Sequence, residues 1–194
     1  MYSAAPVAGE TPQIKAIVVL DGDGKRIVAR YFGKDFASST EELAFEKKLF
    51  EKTMRTNAKN EAEIVMFDSL VSVYRNSSEC WFYVVGSQWE NELILVNALL
   101  ALHEALSSAL RTTPDKRSLL DNFDTLLLTI DELIDGGMIM ESDAAAITNR
   151  VGMKGAEGVP PAGAPEGAGA TFTEGASAIN SKELAGRMMK LFYQ

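Results

Sequence analysis

Few residues in this chain have the types and spacing that catalysis or metal binding needs. Asp21, Asp23 and Lys25 open like a calcium-binding loop, whose oxygen ligands are completed by a bidentate glutamate at the twelfth position; counted from Asp21, that position is Phe32. Gly22, Asp23, Gly24 and Lys25 end like a phosphate-cradling loop. The earlier glycine spacing and the hydroxyl residue after the lysine are both missing, and a strand-to-strand turn is the better reading. His103 is the only histidine and Cys80 the only cysteine. Together they cannot make a zinc tetrad, and Cys80 has no partner for an intrachain disulfide. Asp131, Glu132 and Asp135 read as the wet side of a helix. Asn76-Ser77-Ser78 fits the glycosylation acceptor pattern, which a chain in the reducing cytosol would not use. With no nucleophile–base pair at a recognisable spacing, the chain reads as non-catalytic, without metal or cofactor.

Bulk properties narrow the class further. The net charge of −8 argues against a nucleic-acid binder, which presents a basic field to phosphates. It also favours docking beside basic patches of partner proteins over contact with anionic lipid. The start, MYSAAPVAGETPQ, has neither the basic-then-apolar pattern of a signal peptide nor a glycine at position 2 for myristoylation. No apolar run is expected to span a bilayer.

The elements follow from periodicity. Residues 14–20 (IKAIVVL) and 80–85 (CWFYVV) are apolar on both alternating faces, as central strands must be. Asp21-Gly-Asp-Gly turns the first of them into a second strand at Lys25–Phe32, and short strands follow at Ile64–Phe67 and Leu70–Tyr74. Ser39 with Glu42 has capping-box spacing for a helix from about Glu41 to Thr56, and Ser87 with Glu90 does the same for one from Trp89 to about Arg111. From Lys116 a third helix carries Leu119, Phe123, Leu126, Ile130 and Leu133 on one stripe, with Leu120, Leu127 and Ile134 beside it. Gly136 and Gly137 are its expected stop. A shorter helix is predicted over 142–150. The order β-β-α-β-β-β-α-α gives an α+β fold, an antiparallel sheet covered on both faces.

Residues 1–12 read as a disordered lead, 13–150 as the folded domain and 151–180 as a flexible tail rich in Gly, Ala and Pro. A short basic amphipathic helix is predicted over 181–194, where Leu184 and Met188 share a face beside Lys182, Arg187 and Lys190. What then stands out is surface: Trp89, Met138, Ile139 and Met140 are apolar residues at element ends, where a partner protein could take them.

Four segments in order, KAIVVLDGDGKRIVARYF, FEKKLFEKTMRT, WFYVVGSQWENELIL and DELIDGGMIMESD, resemble the zeta chains of coatomer, the COPI vesicle coat. The resemblance runs from about Ile14 to Arg150, and Asp131–Asp143 is its most specific piece. It implies a longin-like fold, a five-stranded antiparallel sheet with one helix on one face and two on the other. It further implies a structural coat subunit in a hetero-oligomer, paired with the gamma-type large chain among the other coatomer subunits. Such a chain would work on the cytosolic face of Golgi membranes and COPI-coated vesicles in Golgi-to-ER and intra-Golgi transport. Membrane association would come through the coat, which the small GTPase ADP-ribosylation factor recruits. Two features depart from the family pattern: Ala144 stands where proline is common, and the tail is long and rich in Gly, Ala and Pro. A sigma-type chain of a clathrin adaptor, or a longin-type regulator of small GTPases, remains the alternative.

Overall fold

Strands β1 (Ile14–Leu20), β2 (Arg26–Tyr31), β3 (Glu63–Phe67), β4 (Leu70–Ser77) and β5 (Cys80–Ser87) pair antiparallel in the order β2-β1-β5-β4-β3. The computed structural model describes residues 12–33, 35–56, 61–67 and 69–153. The lead before Pro12, the Gly/Ala/Pro-rich tail from Lys154 onward and the predicted terminal helix lie outside the described residues.

The two strands that are apolar on both faces, β1 and β5, sit side by side near the middle. Their alternation sorts the interior into two cores. Ala16, Val18 and Leu20 join Tyr83 and Val85 beneath helix α1 (Ser39–Thr53). Ile17 and Val19 join Phe82 and Val84 beneath helix α2 (Glu92–Leu110). On this second face α3 (Lys116–Asp121), α4 (Phe123–Leu133) and α5 (Ala144–Gly152), the short helix expected over 142–150, complete the layer, so it holds more than the two helices the resemblance implies. Each fully buried Leu, Ile, Val or Phe contributes roughly 1.5–3 kcal/mol of transfer free energy, which makes the aliphatic face the larger store of stability.

Several boundaries differ from the sequence expectation, each for a local reason. The α1 cap is Ser38, whose Oγ accepts from Glu41 N at 3.3 Å, while the Glu41 carboxylate accepts from Ala37 N at 3.0 Å. Helix α2 starts at Glu92, three residues late, because Asn91 Oδ1 caps it by accepting from Leu93 N at 2.9 Å. β4 continues through Asn76 and Ser77 to a two-residue turn, Ser78-Glu79, in which both residues have positive φ (48° and 64°). The predicted single helix from Lys116 is two helices that meet at Asn122 (φ −123°, ψ 45°). Asp115 and Ser118 cap the first reciprocally, and Asn122 Nδ2 closes it by donating to Ser118 O at 2.9 Å. Contrary to the expectation from apolar runs, α2 is long and apolar enough to cross a membrane by length and composition. Leu95, Leu99, Leu102 and Leu106 are buried against the sheet instead.

Candidate partner surface

The segment Ile134–Ile139 decides what this end of the molecule presents. Ile134 leaves α4 with extended backbone (φ −141°, ψ 129°), so the glycines that follow do not cap the helix as expected. They form the turn of a small hairpin, Ile134–Asp135 (β6) against Met138–Ile139 (β7), with φ +55° at Gly136 and +89° at Gly137. Positive φ at both central residues is the tight hairpin geometry that glycine adopts without strain. Gly137 is also pressed against β1, since an added Cβ would stand 2.8 Å from the Ile14 carbonyl.

This hairpin is sewn to the start of β1. Ile14 N donates to Gly137 O at 2.7 Å, and Met140 N donates to Leu133 O at 2.9 Å. Gln13 bridges Met138, and Gln13 N donates to the Glu90 carboxylate at 3.3 Å. Glu90 and Trp89 lie in the turn that leaves β5, held by Ser87, whose Oγ accepts from Trp89 N at 3.2 Å. Residues 13 and 14 thus join the hairpin to the Trp89 turn at one end of the sheet.

Of the four surface candidates, Trp89, Met138 and Met140 are exposed (49%, 43% and 58%). Ile139 is turned inward, partly buried and packed on the aliphatic core. Leu93, 70% exposed, joins this end and was not foreseen. The signal was available: a cap at Asn91 puts Leu93 in the first turn, outside the Leu95-Leu99-Leu102-Leu106 stripe.

The acidic residues here are structural. Glu141 accepts from Ser142 N and Asp143 N and pairs with Arg150 at 3.2 Å. These backbone hydrogen bonds, Asp143's first, hold its carboxyl below the usual range. Asp143 Oδ1 caps α5 by accepting from Ala145 N at 3.0 Å, so the helix begins at Ala144. Asp131 pairs with Arg30 at 3.1 Å.

The other residues with chemical potential sit apart. Asp21 is buried and accepts from Asp23 N, Lys25 N and Lys116 Nζ at 3.0, 2.8 and 2.8 Å. Burial pushes its carboxyl up, but the bonds from Lys116, Lys25 and Asp23 outweigh it and leave it below the ordinary value. Its carboxylate organises the turn between β1 and β2, and a register shift at Val19/Leu20 accompanies it. Cys80 is buried, and burial, then the charge of Asp115, pushes its thiol up to about 12. An un-ionised, inaccessible thiol is a poor nucleophile. His103 packs edge-to-face on Phe82 at 5.5 Å; burial and then Arg75 push it down to about 4. Among the described residues no three His, Cys, Asp or Glu side chains stand close enough to share a metal ion.

Comparison with known proteins gives this end a context. The family described as clathrin adaptor complex small chain matches residues 13–157. Coatomer subunit zeta-3 of Oryza sativa subsp. japonica is 44% identical over 147 residues, covering 76% of this chain and 83% of the relative. Coatomer subunit zeta-1 of Bos taurus is also 44% identical, over 76% of this chain and 80% of its own. Coatomer subunit zeta-2 of Homo sapiens is 43% identical, over 75% and 67% respectively. Among structures, a chain of a homology model of the full-length AP-3 complex in a stretched open conformation superimposes with a TM-score of 0.58. At 15% identity over 71% of this chain and 90% of that one, it shares the fold. These relatives and the matching family decide it: the chain belongs to the adaptor small-chain family and, within it, to the coatomer zeta chains.

Proposed function

We propose that this chain is a non-catalytic structural subunit of the COPI vesicle coat, paired with the gamma-type large chain in a hetero-oligomer with the other coatomer subunits. It acts on the cytosolic face of Golgi membranes and COPI-coated vesicles, and it reaches the membrane through the coat that ADP-ribosylation factor recruits. The observation that carries this reading is the Asp131–Asp143 stretch. It contains a hairpin that leaves Met138 and Met140 exposed and is tied through Gln13 to the turn carrying the exposed Trp89.

Binding energy at such a surface comes from a few desolvated anchors more than from total area. Trp89 and Met138 are the anchors in this reading, and Ile139 supports them from beneath. The test is affinity recovery of the tagged chain from cytosol, with co-purifying proteins identified by mass spectrometry. Stoichiometric recovery of a gamma-type large chain with the rest of coatomer supports the reading. Recovery of clathrin-adaptor large chains makes it a sigma-type chain, and recovery of neither removes the coat function. In the same experiment Met138→Asp is expected to lower recovery about tenfold or more, as loss of a central anchor does, while leaving the melting temperature unchanged.

A further inference from the structure

Among the described residues no strand pairs with the outer edge of β3, and one lysine sits on it. The turn at Ser78-Glu79 closes β4 onto β5 at Ser77 and Cys80, and Gln88 N donates to Ser69 O at 3.0 Å. Backbone groups alternate in direction along an antiparallel ladder. The odd-numbered residues from Ser69 to Ser77 therefore bond toward β5, and Leu70, Ser72 and Tyr74 bond toward β3. Their partners Phe67, Val65 and Glu63 are consumed inward. Ile64 and Met66 turn their amides and carbonyls outward, away from the sheet.

The side chains of Ile64 and Met66 are uncovered as well, 51% and 57% exposed. Val65 and Phe67 pack beneath α1, so Ile64 and Met66 project on the opposite face, where α2 lies over β4 and β5. The single charge of the strand, Glu63, is held by Tyr74 Oη at 2.6 Å. A short strand rich in β-branched and apolar residues, with open backbone groups, is a template for another strand.

The edge is self-complementary. Two copies of β3 laid antiparallel about Val65 place Ile64 of one opposite Met66 of the other. In that register both outward residues exchange both backbone hydrogen bonds across the pair. That register needs the Met66 carbonyl of each copy, and a charge already sits on it: Lys52 Nζ, reaching over from α1, donates to Met66 O at 2.6 Å and lies 5.3 Å from the Phe67 ring centroid.

We propose that Lys52 guards this edge: its ammonium, seated on the Met66 carbonyl, keeps β3 from pairing with β3 of a second copy of the chain. An ammonium at a strand edge would have to be displaced or buried for a second strand to approach, and charge on an edge is a common means of blunting it.

The experiment is sedimentation of the full-length chain, wild type against Lys52→Met, across a wide concentration range. Lys52→Met keeps the apolar stem over Phe67 and removes the donor; Lys52→Gln serves as a second neutral variant. Wild type and Lys52→Arg are expected at the 21.1 kDa monomer mass, and the neutral variants at twice that mass as concentration rises. Adding Ile64→Lys is expected to restore the monomer. Amide exchange at Ile64 and Met66 is expected to slow by about tenfold or more in the neutral variants, as newly paired edge groups do. Neutral variants that stay monomeric, a dimer that survives Ile64→Lys, or a wild type already paired through β3 would each overturn the proposal.

Discussion

The two faces of the sheet are held by different means. Beneath α1 the core is aromatic and laced with polar bonds. Tyr31, Phe36, Phe45 and Phe67 run ring to ring with centroids 4.6 to 5.8 Å apart, and Thr53 Oγ1 meets Tyr83 Oη at 2.8 Å. Arg26 pairs with Glu46 at 2.6 Å and Glu42 at 3.3 Å, and Tyr31 Oη donates to Glu46 at 2.9 Å. Beneath α2 the core is aliphatic, and four helices share it. A lone helix covers too little apolar surface to fix its own position, so directional bonds do part of that work. A wide aliphatic layer needs no such bonds, because packing density alone penalises displacement. The polar face should therefore be sensitive to single hydrogen bonds, and the aliphatic face to single methylene groups.

The largest test of that contrast is Leu102→Ala in α2. A fully buried leucine replaced by alanine costs about 2–5 kcal/mol, lowering the melting temperature by roughly 4–20 °C in a domain of this size. Next comes Glu46→Ala on the α1 face. It leaves Arg26, mostly buried, with Glu42 alone; breaking a buried pair costs about 3–5 kcal/mol, and the remaining partner should hold this one near 2 kcal/mol. Chemical denaturation measures both. Tyr83→Phe removes one hydrogen bond and no volume, so about 1 kcal/mol is expected. A loss well below that would mean the polar bonds add little to the α1 face.

The last test reads a slope with pH. His103 is held neutral, with its protonation pushed down to about 4 against 6.5 for the free side chain. Between those values the unfolded chain binds more protons than the folded one, so stability rises with pH across that window. It is full above pH 6.5 and is lost as pH falls toward 4. His103→Phe should flatten this part of the stability profile, read from melting temperatures at successive pH values; an unchanged slope would place the proton uptake elsewhere.

Much of this architecture could be read from residues 14–20 and 80–85, because burial on both faces leaves an unmistakable apolar run. The helices were legible as amphipathic stripes, but their ends were not. Ser87 and Glu90 have capping-box spacing, yet Glu90 is drawn away by Gln13 N, which comes from a distant part of the chain, and Asn91 takes the cap. The break at Asn122 was hidden because Leu119, Phe123 and Leu126 keep helical spacing across it. The surface candidates were partly legible: Met138 and Met140 alternate about Ile139, and alternation in a hairpin sends the middle residue the other way. Reading Gly136 and Gly137 as a helix stop concealed that alternation. The openness of the β3 edge depends on strand order, which no local pattern in EIVMF encodes.

We propose that the hairpin end is the surface by which this chain is held in its coat. Its most direct test compares amide hydrogen exchange in the chain alone with exchange in a co-purified complex with a gamma-type large chain. Added protection concentrated at residues 88–93 and 134–140, with the α1 face unchanged, is the expected result. Protection confined to α1 and the β1–β2 turn, with the hairpin still exchanging as in the free chain, would contradict it.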